Sequence, residues 1–390
     1  MNKNILLFGP IGDFGGRELE SGFVASILST KYNVAICSSG TISKKSQAFA
    51  FDKNLKVFSV KQLLFDEYWV LKLLAYISFF KNFFKGEINS YVNSAIAKRF
   101  LSYDKKTRII LENLITDYDA IFVVAQLSSG LVSDAIKIAK RKNKKVLFRT
   151  TGTITFSDFD FINSVDYFIH HSINNSSRLE ENKNHNHNYT IIDQCAYNEI
   201  DLFEIPTSDK KIFKFLILSR LSPEKGVQEI IDFFLRVCSE NDILFIAGNG
   251  VLERDLKIKF KDLKNIKFLG FVKSSDLSAL FEIIDCLIIP SPEESGPLVG
   301  IEAMCAGKII ISTKVGAMQE RMIGSLNDYW FDNNNFESFR KVFFDVKKLN
   351  VMQIKKTSVS LKEKYKMEYS IHEISKKYLN IVDKVLYPCE

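Results

Sequence analysis

The 390-residue sequence has no paired cysteines, no long uninterrupted apolar run and no internal repeat. Its six cysteines are scattered, without the paired spacing of a zinc site or the density of a disulfide framework, so a reducing cytoplasm is the simplest compartment. The first nine residues suit a first strand and lack the apolar region and small-residue cleavage site of a signal peptide. We therefore expect neither a zinc finger nor a disulfide-rich secreted domain.

Residues 68–85 form an aromatic and basic segment. Lys72 and Lys81 interrupt it, so it falls short of the ~20 apolar residues that a transmembrane helix needs. Two interpretations stay open for this segment. It forms either an interfacial helix that docks on anionic lipid or a helix packed against the sheet of a first domain.

The net charge of +7 and the aromatic content of 13% favour an anionic partner. Nucleic acid, an acidic membrane surface and phosphorylated substrates are the candidates, and charge alone does not choose among them. A nucleic-acid partner is not expected, because no motif such as aromatics interleaved on a sheet face supports one. The basic run at residues 136–145 lies at a helix end, where positive charge meets the helix dipole favourably, and a solvated face is its default interpretation.

Strand and helix signals alternate along the chain in two series. The first series starts at Ile5, and the second starts at Phe213 after a short polar stretch that contains a proline. Strands that alternate with helices predict parallel, doubly wound sheets. We therefore predict an α/β fold with two Rossmann-like domains, residues 1–205 and 206–370, and a helical C-terminal tail. The last part of this tail, residues 371–390, is expected to pack back on the first domain.

Two carboxylates flank a short stretch in the second series. The apolar run at residues 286–289 predicts a buried strand, a turn follows, and Pro297 fits the first position of a helix. Glu294 then lies in the loop at a strand's carboxyl end, where open α/β sheets bind ligands, and Glu302 lies about one and a half turns into the helix. The N–H groups around residues 295–299 suit an anionic or hydroxyl-rich ligand. This arrangement indicates a sugar-nucleotide site.

Two cations lie in the loop after the first strand of the second series. Arg220 and Lys225 can clamp a diphosphate there, the arginine by its planar fork and the lysine as a point charge. Gly226 allows close approach of the backbone. A solvated loop with two surface cations is the alternative. The glycine-rich turn that contains Gly248 ends the next strand and is a weak signal by itself.

The order of these segments resembles the donor half of glycosyltransferase family 4, densely from Phe213 to Glu320 and loosely elsewhere. The matching segments are residues 219–226 (Ser-Arg-Leu-Ser-Pro-Glu-Lys-Gly), 247–250 (Ala-Gly-Asn-Gly), 268–271 (Phe-Leu-Gly-Phe), 290–291 (Pro-Ser), the pair Glu294 and Glu302 with residues 303–308, and 315–317 (Val-Gly-Ala). Several spaced motifs in one order are far more specific than any one of them.

The resemblance implies a GT-B fold, in which two Rossmann domains face a cleft, and retaining, metal-independent transfer from a nucleotide sugar. It implies that Arg220 and Lys225 hold the donor diphosphate and stabilise the leaving nucleotide, and that Glu302 binds the ribose hydroxyls. Glu294 is expected to contact the donor sugar near its reacting face. The other residues expected to bind the donor are Gly15, Gly16, Gly248, Ser295, Gly296, Pro297 and Leu298.

The implied mechanism is a front-face substitution through an oxocarbenium-like state, in which the β-phosphate oxygen of the leaving nucleotide helps to take the acceptor proton. Glu294 and Glu302 are therefore not expected to act as an acid and base pair. The implied partners are a hexose-type sugar linked to UDP or GDP and a glycan or lipid-linked glycan acceptor, without a metal or other cofactor. Assembly of capsule, O-antigen or lipopolysaccharide is the expected setting, in the cytoplasm and in peripheral contact with the anionic inner face of the membrane.

The chain departs from the family pattern at two places. Many relatives have a His-Gly pair after a first-domain strand, whereas Thr151 stands in the place of the histidine here, and either Arg149 or Thr151 is a candidate to contact donor or acceptor. Residues 193–196 stand where the family has an Asn-Gly turn. Two alternatives to sugar transfer remain: another GT-B enzyme, such as a nucleotide-sugar epimerase, and a catalytically silent subunit that binds sugar nucleotides.

Overall fold

The computed structural model of the chain describes residues 2–180 and 187–388. Contacts between residues divide the chain into two compact units. The first unit contains residues 1–170, 175–192 and 375–390, and the second contains residues 171–174 and 193–374. Each unit is built around one parallel sheet.

The sheet of the first unit has seven strands in the order β3-β2-β1-β4-β5-β6-β7. The strands are β1 (Asn4–Gly9), β2 (Asn33–Ser38), β3 (Lys56–Ser59), β4 (Ala120–Ala125), β5 (Lys145–Thr150), β6 (Tyr167–His170) and β7 (Tyr189–Ile191). Strand β4 is buried over its whole length, and β1 is buried from Ile5 onward. Continuous apolar runs of this kind are typical of parallel strands that are covered on both faces.

Helices connect these strands and cover the sheet. They are α1 (Gly16–Ser29), α2 (Val60–Glu67), α3 (Trp69–Lys81), α4 (Ala95–Phe100), α5 (Tyr103–Thr116), α6 (Val132–Arg141) and α7 (Ile173–Glu180). Helix α6 shows why the pattern folds in this way, since Val132, Ala135, Ile136 and Ala139 recur at helical spacing and are all buried.

The second sheet has five strands in the order β10-β9-β8-β11-β12. The strands are β8 (Lys214–Leu218), β9 (Ile243–Ala247), β10 (Ile266–Gly270), β11 (Cys286–Ile289) and β12 (Ile309–Ser312). The helices of the chain from this unit onward are α8 (Glu199–Glu204), α9 (Val227–Val237), α10 (Glu253–Phe260), α11 (Leu277–Ile283), α12 (Leu298–Cys305), α13 (Met318–Met322), α14 (Phe336–Lys347), α15 (Val351–Glu368) and α16 (Ile371–Leu386). The predicted fold class is confirmed: two Rossmann-like parallel sheets are followed by a helical C-terminal region.

From Ser375 onward, α16 belongs to the first unit. Asp383 accepts hydrogen bonds from Lys31, whose Nζ lies 2.7 Å from Oδ1, and from the hydroxyl of Tyr32. Deeper in the unit, the Tyr378 ring packs beside Phe122 of β4, with 6.2 Å between ring centroids. The end of the chain is thus attached to the first unit by both apolar and charged contacts.

Arg149 of β5 is fully buried in the first unit. Its Nε and Nη2 lie 2.7 and 2.6 Å from Oε1 of Glu20 on α1, and its Nη1 donates to the carbonyl of Ile192. The hydroxyl of Tyr378 also donates to Glu20, at 3.2 Å. Arg149 therefore links α1, the end of β7 and α16, and the carboxylate of Glu20 pairs with its buried charge.

Segment 68–85 contains α3, which packs on the core of the first unit through Leu71 and Ala75. Packing within the first unit, one of the two interpretations of this segment, therefore describes the face of α3 that carries Leu71 and Ala75. Within residues 2–180 and 187–388, no helix is both long and apolar enough to cross a membrane.

Replacing Glu20 by Gln is expected to lower the free energy of unfolding by about 3–5 kcal/mol, because the buried guanidinium of Arg149 would lose the charge of the carboxylate that pairs with it. Chemical denaturation measures the change. The matched control is Glu337→Gln, in a pair with Arg340 whose side chains are 67% and 53% exposed, where a loss below about 1 kcal/mol is expected. Equal losses in the two variants would contradict the structural role of the buried pair.

Candidate functional site

The strand order of the second sheet places β8 beside β11, and the two run parallel. From β8 the chain continues to β9 on one side, whereas β11 leads to β12 on the other side. This reversal of direction is the position at which open α/β sheets bind ligands, outside the carboxyl ends of the strands. Two loops start there, residues 219–226 after β8 and residues 290–297 after β11.

Lys225 and Glu294 meet between these two loops. The Lys225 ammonium forms an ion pair with Oε1 of Glu294, and the Ser291 hydroxyl donates to the same oxygen at 3.0 Å. The side chains are only 13% and 20% exposed. Gly226 has a φ of 64°, and a Cβ there would lie 2.8 Å from the carbonyl oxygen of Pro290, so glycine lets the loops approach. The structure thus brings together two of the residues predicted from the sequence.

Arg220 does not join this pair. Its side chain is 73% exposed and its Nη2 lies 3.6 Å from Glu224 in the same loop. Gly248 has a backbone reason for being glycine, because a Cβ there would lie 1.9 Å from the carbonyl oxygen of Ser219. Glycine at positions 226 and 248 therefore lets the backbone segments approach closely, while the charged side chain of Arg220 stays at the surface.

The loop before α12 presents several N–H groups. Those of Ser295, Gly296, Leu298 and Val299 donate to no group in the described part of the chain. Helix α12 begins at Leu298, so the predicted start at Pro297 is wrong by one residue. Pro297 is the N-cap, and its carbonyl accepts from the N–H of Gly300 at 3.1 Å. Unpaired N–H groups at a helix start are suited to oxygen atoms of an anionic or polar ligand.

A buried ion pair fixes this loop, and sequence reasoning missed it. The Arg321 guanidinium is fully buried and binds Asp193 through two bonds, Nε to Oδ2 and Nη2 to Oδ1, both 2.7 Å. Its Nη1 donates to the carbonyl of Pro297. Asp193 belongs to the stretch that departs from the family turn. The available sequence signal is spacing, since Arg321 lies three residues after Met318 and next to Met322 and so falls on the buried apolar face of α13.

Glu302 lies on the buried face of α12 with 6% of its surface exposed. None of the residues that the structure describes hydrogen-bonds its carboxylate. Burial raises the pKa of this carboxyl to about 7, although the positive charge of Arg321 acts in the opposite direction. A carboxylate in this condition can accept hydrogen bonds from the hydroxyl groups of a ligand.

The remaining candidates lie in the first unit. Gly15 and Gly16 stand at the start of α1, where the N–H of Gly15 already donates to Oε1 of Gln47 at 2.8 Å. Arg149 is committed to its pair with Glu20. Thr151, by contrast, has a hydroxyl that accepts from Nε of Arg17 at 3.3 Å. Of the two first-unit candidates, Thr151 is therefore the one whose side chain is not held by a buried ion pair.

Residues 198–363, less than half of the chain, match the sequence model of the family described as "Glycosyl transferases group 1". An uncharacterised glycosyltransferase of Methanocaldococcus jannaschii is 30% identical over 134 residues, which cover 33% of this chain and 34% of that protein. The lipopolysaccharide 1,2-N-acetylglucosaminetransferase of Salmonella typhimurium is 28% identical over 127 residues, covering 29% and 33%. The chain spans about a third to about half the length of the first curated relatives it matches.

Among solved structures, the pneumococcal O-GlcNAc transferase GtfA in complex with UDP and GlcNAc superposes with a TM-score of 0.72. The superposition covers 99% of each chain at 13% identity, so it shows the fold. The chain therefore has the GT-B fold, and the part of its second unit at residues 198–363 matches the glycosyl transferase group 1 model.

The raised pKa of Glu302 predicts a pH-dependent stability difference. Between pH 4.5 and pH 7 the folded state binds a proton that the unfolded state releases, so rising pH destabilises the wild-type protein relative to Glu302→Gln. The Gln variant is expected to be more stable by up to about 3 kcal/mol at pH 8, and the difference should vanish near pH 4.5. Denaturation at several pH values measures it. The control is Glu363→Gln, at an exposed position. If the stability of both variants depended on pH in the same way, Glu302 would not be a buried carboxyl with a raised pKa.

Proposed function

We propose that the protein is a retaining glycosyltransferase that moves a hexose-type sugar from a nucleotide-diphosphate sugar to a glycan or lipid-linked glycan acceptor. The observation that carries the proposal is the carboxyl edge of β8 and β11. There a lysine, a set of unpaired N–H groups and a buried carboxylate lie in the region that matches the group 1 family.

In the proposed complex the donor diphosphate lies between the two loops. Lys225 exchanges Glu294 for a phosphate oxygen, and the exposed side chain of Arg220 swings towards the same charge. The N–H groups of Ser295, Gly296 and Leu298 face oxygen atoms of the donor. These groups stabilise negative charge on the leaving nucleotide as the sugar bond breaks.

The two carboxylates bind the donor rather than transfer protons. Glu302 accepts hydrogen bonds from the ribose hydroxyls, and Glu294, once released by Lys225, accepts from hydroxyls of the donor sugar. A β-phosphate oxygen of the leaving nucleotide takes the acceptor proton in a front-face substitution. The reaction uses no metal, and UDP or GDP is the leaving nucleotide. Binding of UDP by a structural neighbour supports a uridine donor.

The proposed setting is the assembly of capsule, O-antigen or lipopolysaccharide, in the cytoplasm at the inner face of the membrane. A relative named as a lipopolysaccharide sugar transferase supports this setting. The acceptor then is a growing glycan, free or carried on a lipid.

Incubation with a panel of UDP- and GDP-sugars is expected to release nucleoside diphosphate from one of them. Lys225→Ala and Glu302→Gln are each expected to lower this release about 100-fold or more, because each removes a group that holds the donor. A coupled assay for nucleoside diphosphate measures the choice of donor and the effect of each variant. Lys355→Ala on the exposed face of α15 is the matched control and should behave like the wild-type protein.

Full activity in either variant would overturn the donor-site assignment. Conversion of the donor without release of nucleotide would show an epimerase instead. Saturable binding without turnover of any donor would show a silent sugar-nucleotide-binding subunit.

A further inference from the structure

Helix α3 presents a stripe of large apolar side chains to solvent. The stripe consists of Trp69, Leu73, Tyr76, Ile77 and Phe80, which are 74%, 51%, 41%, 43% and 59% exposed. Their spacing of three and four residues places them on one face of the helix. A surface helix of a globular protein normally packs its apolar face on the core. In α3 the opposite face, with Leu71 and Ala75, packs on the core, so the stripe is a second apolar face that stays exposed.

The loop after α3 continues this stripe. Phe83 and Phe84 are 83% and 60% exposed, and the Phe84 ring lies 5.0 Å from that of Phe80 between centroids. Both residues have a left-handed backbone, with φ of 54° and 60°, which is rare for bulky side chains and costs free energy. Two aromatic side chains therefore extend the exposed stripe into the loop, although this backbone conformation is unfavourable for them.

Basic side chains border the stripe. Lys72 precedes Leu73 on one side of the helix, and Lys81 lies on the other side, at the position where the helix ends. Lys85 follows in the loop and is exposed, as is Lys81. Residues 68–86 contain no Asp or Glu. The stripe itself therefore combines exposed aromatic area with positive charge.

We propose that this stripe, Trp69 to Phe84 with its bordering lysines, docks in the interface of an anionic lipid bilayer. The helix would lie in the membrane plane, with the aromatic side chains between the lipid headgroups and the lysines beside acidic phosphates. Its 13 residues span about 20 Å, less than the roughly 30 Å hydrocarbon core, so the helix rests on the membrane rather than crossing it.

Charge favours this partner. The stripe carries three lysines and no carboxylate, and the exposed Asp66, Glu67 and Glu87 lie beyond its two ends. An anionic bilayer supplies the missing negative charge. The proposal deepens the membrane setting of the proposed function, and its test does not require sugar transfer by the second unit.

Flotation of the full chain with vesicles tests the proposal. Binding is expected to vesicles of phosphatidylcholine mixed with phosphatidylglycerol, and to weaken strongly with phosphatidylcholine alone or at high salt. The double variant Lys81→Glu/Lys85→Glu should bind at least about 20-fold more weakly, since each lysine contributes about five-fold. Phe80→Ser/Phe83→Ser should also lose binding. The matched controls are Lys355→Glu/Lys356→Glu and Val251→Ser, all at exposed positions of the second unit.

Fluorescence locates the contact. In a Trp330→Phe background, Trp69 is the one remaining tryptophan, and its emission is expected to shift to shorter wavelength with anionic vesicles. No flotation, or flotation that both stripe variants retain, would overturn the proposal. Stripe-dependent dimers without lipid, seen by analytical ultracentrifugation, would assign the surface to self-association instead. Turnover of donor in solution should be unchanged in the stripe variants, so failure of the sugar-transfer proposal and failure of this one are distinguishable.

Discussion

The candidate site depends on one constraint, that β8 and β11 are neighbouring parallel strands. Because parallel neighbours end at the same edge, the loops that follow them meet there, although Lys225 and Glu294 are 69 residues apart. The sheet thus provides the position, and the loops provide the chemistry. The Lys225 ammonium is partly desolvated, but its pairing with Glu294 avoids the cost of an unpaired buried charge. When a phosphate binds, the lysine exchanges one anion for another.

Buried arginines then hold the surrounding backbone in place. Arg321 joins Asp193 to the carbonyl of Pro297, and so fixes the start of α12, where the unpaired N–H groups lie. Arg149 does the same in the first unit, joining α1, β5 and α16 through Glu20. Such pairs are costly to bury and more costly to break, which suits positions where a loop must keep one geometry.

Sequence patterns predicted what local periodicity encodes. The strands, the helices between them and the loops that carry Lys225 and Glu294 follow from apolar runs and turn residues, as does helix α12, which carries Glu302. The order of motifs indicated the fold class. The partner of Arg321 was not predictable, because 128 residues separate it from Asp193 and no local pattern encodes that contact. The sequence also left the role of α3 open, since one helix can pack through Leu71 and still expose Trp69.

The edge formed by β8 and β11 is proposed to bind a donor nucleotide without a metal. Calorimetric titration with UDP and GDP in the presence of a chelator tests it most directly. Saturable binding of one of the two is expected, weakened about tenfold or more in Lys225→Ala because a charged hydrogen bond to phosphate is lost. If neither nucleotide binds in the presence of the chelator, or if Lys225→Ala binds as tightly as the wild-type protein, this edge is not a metal-independent donor site.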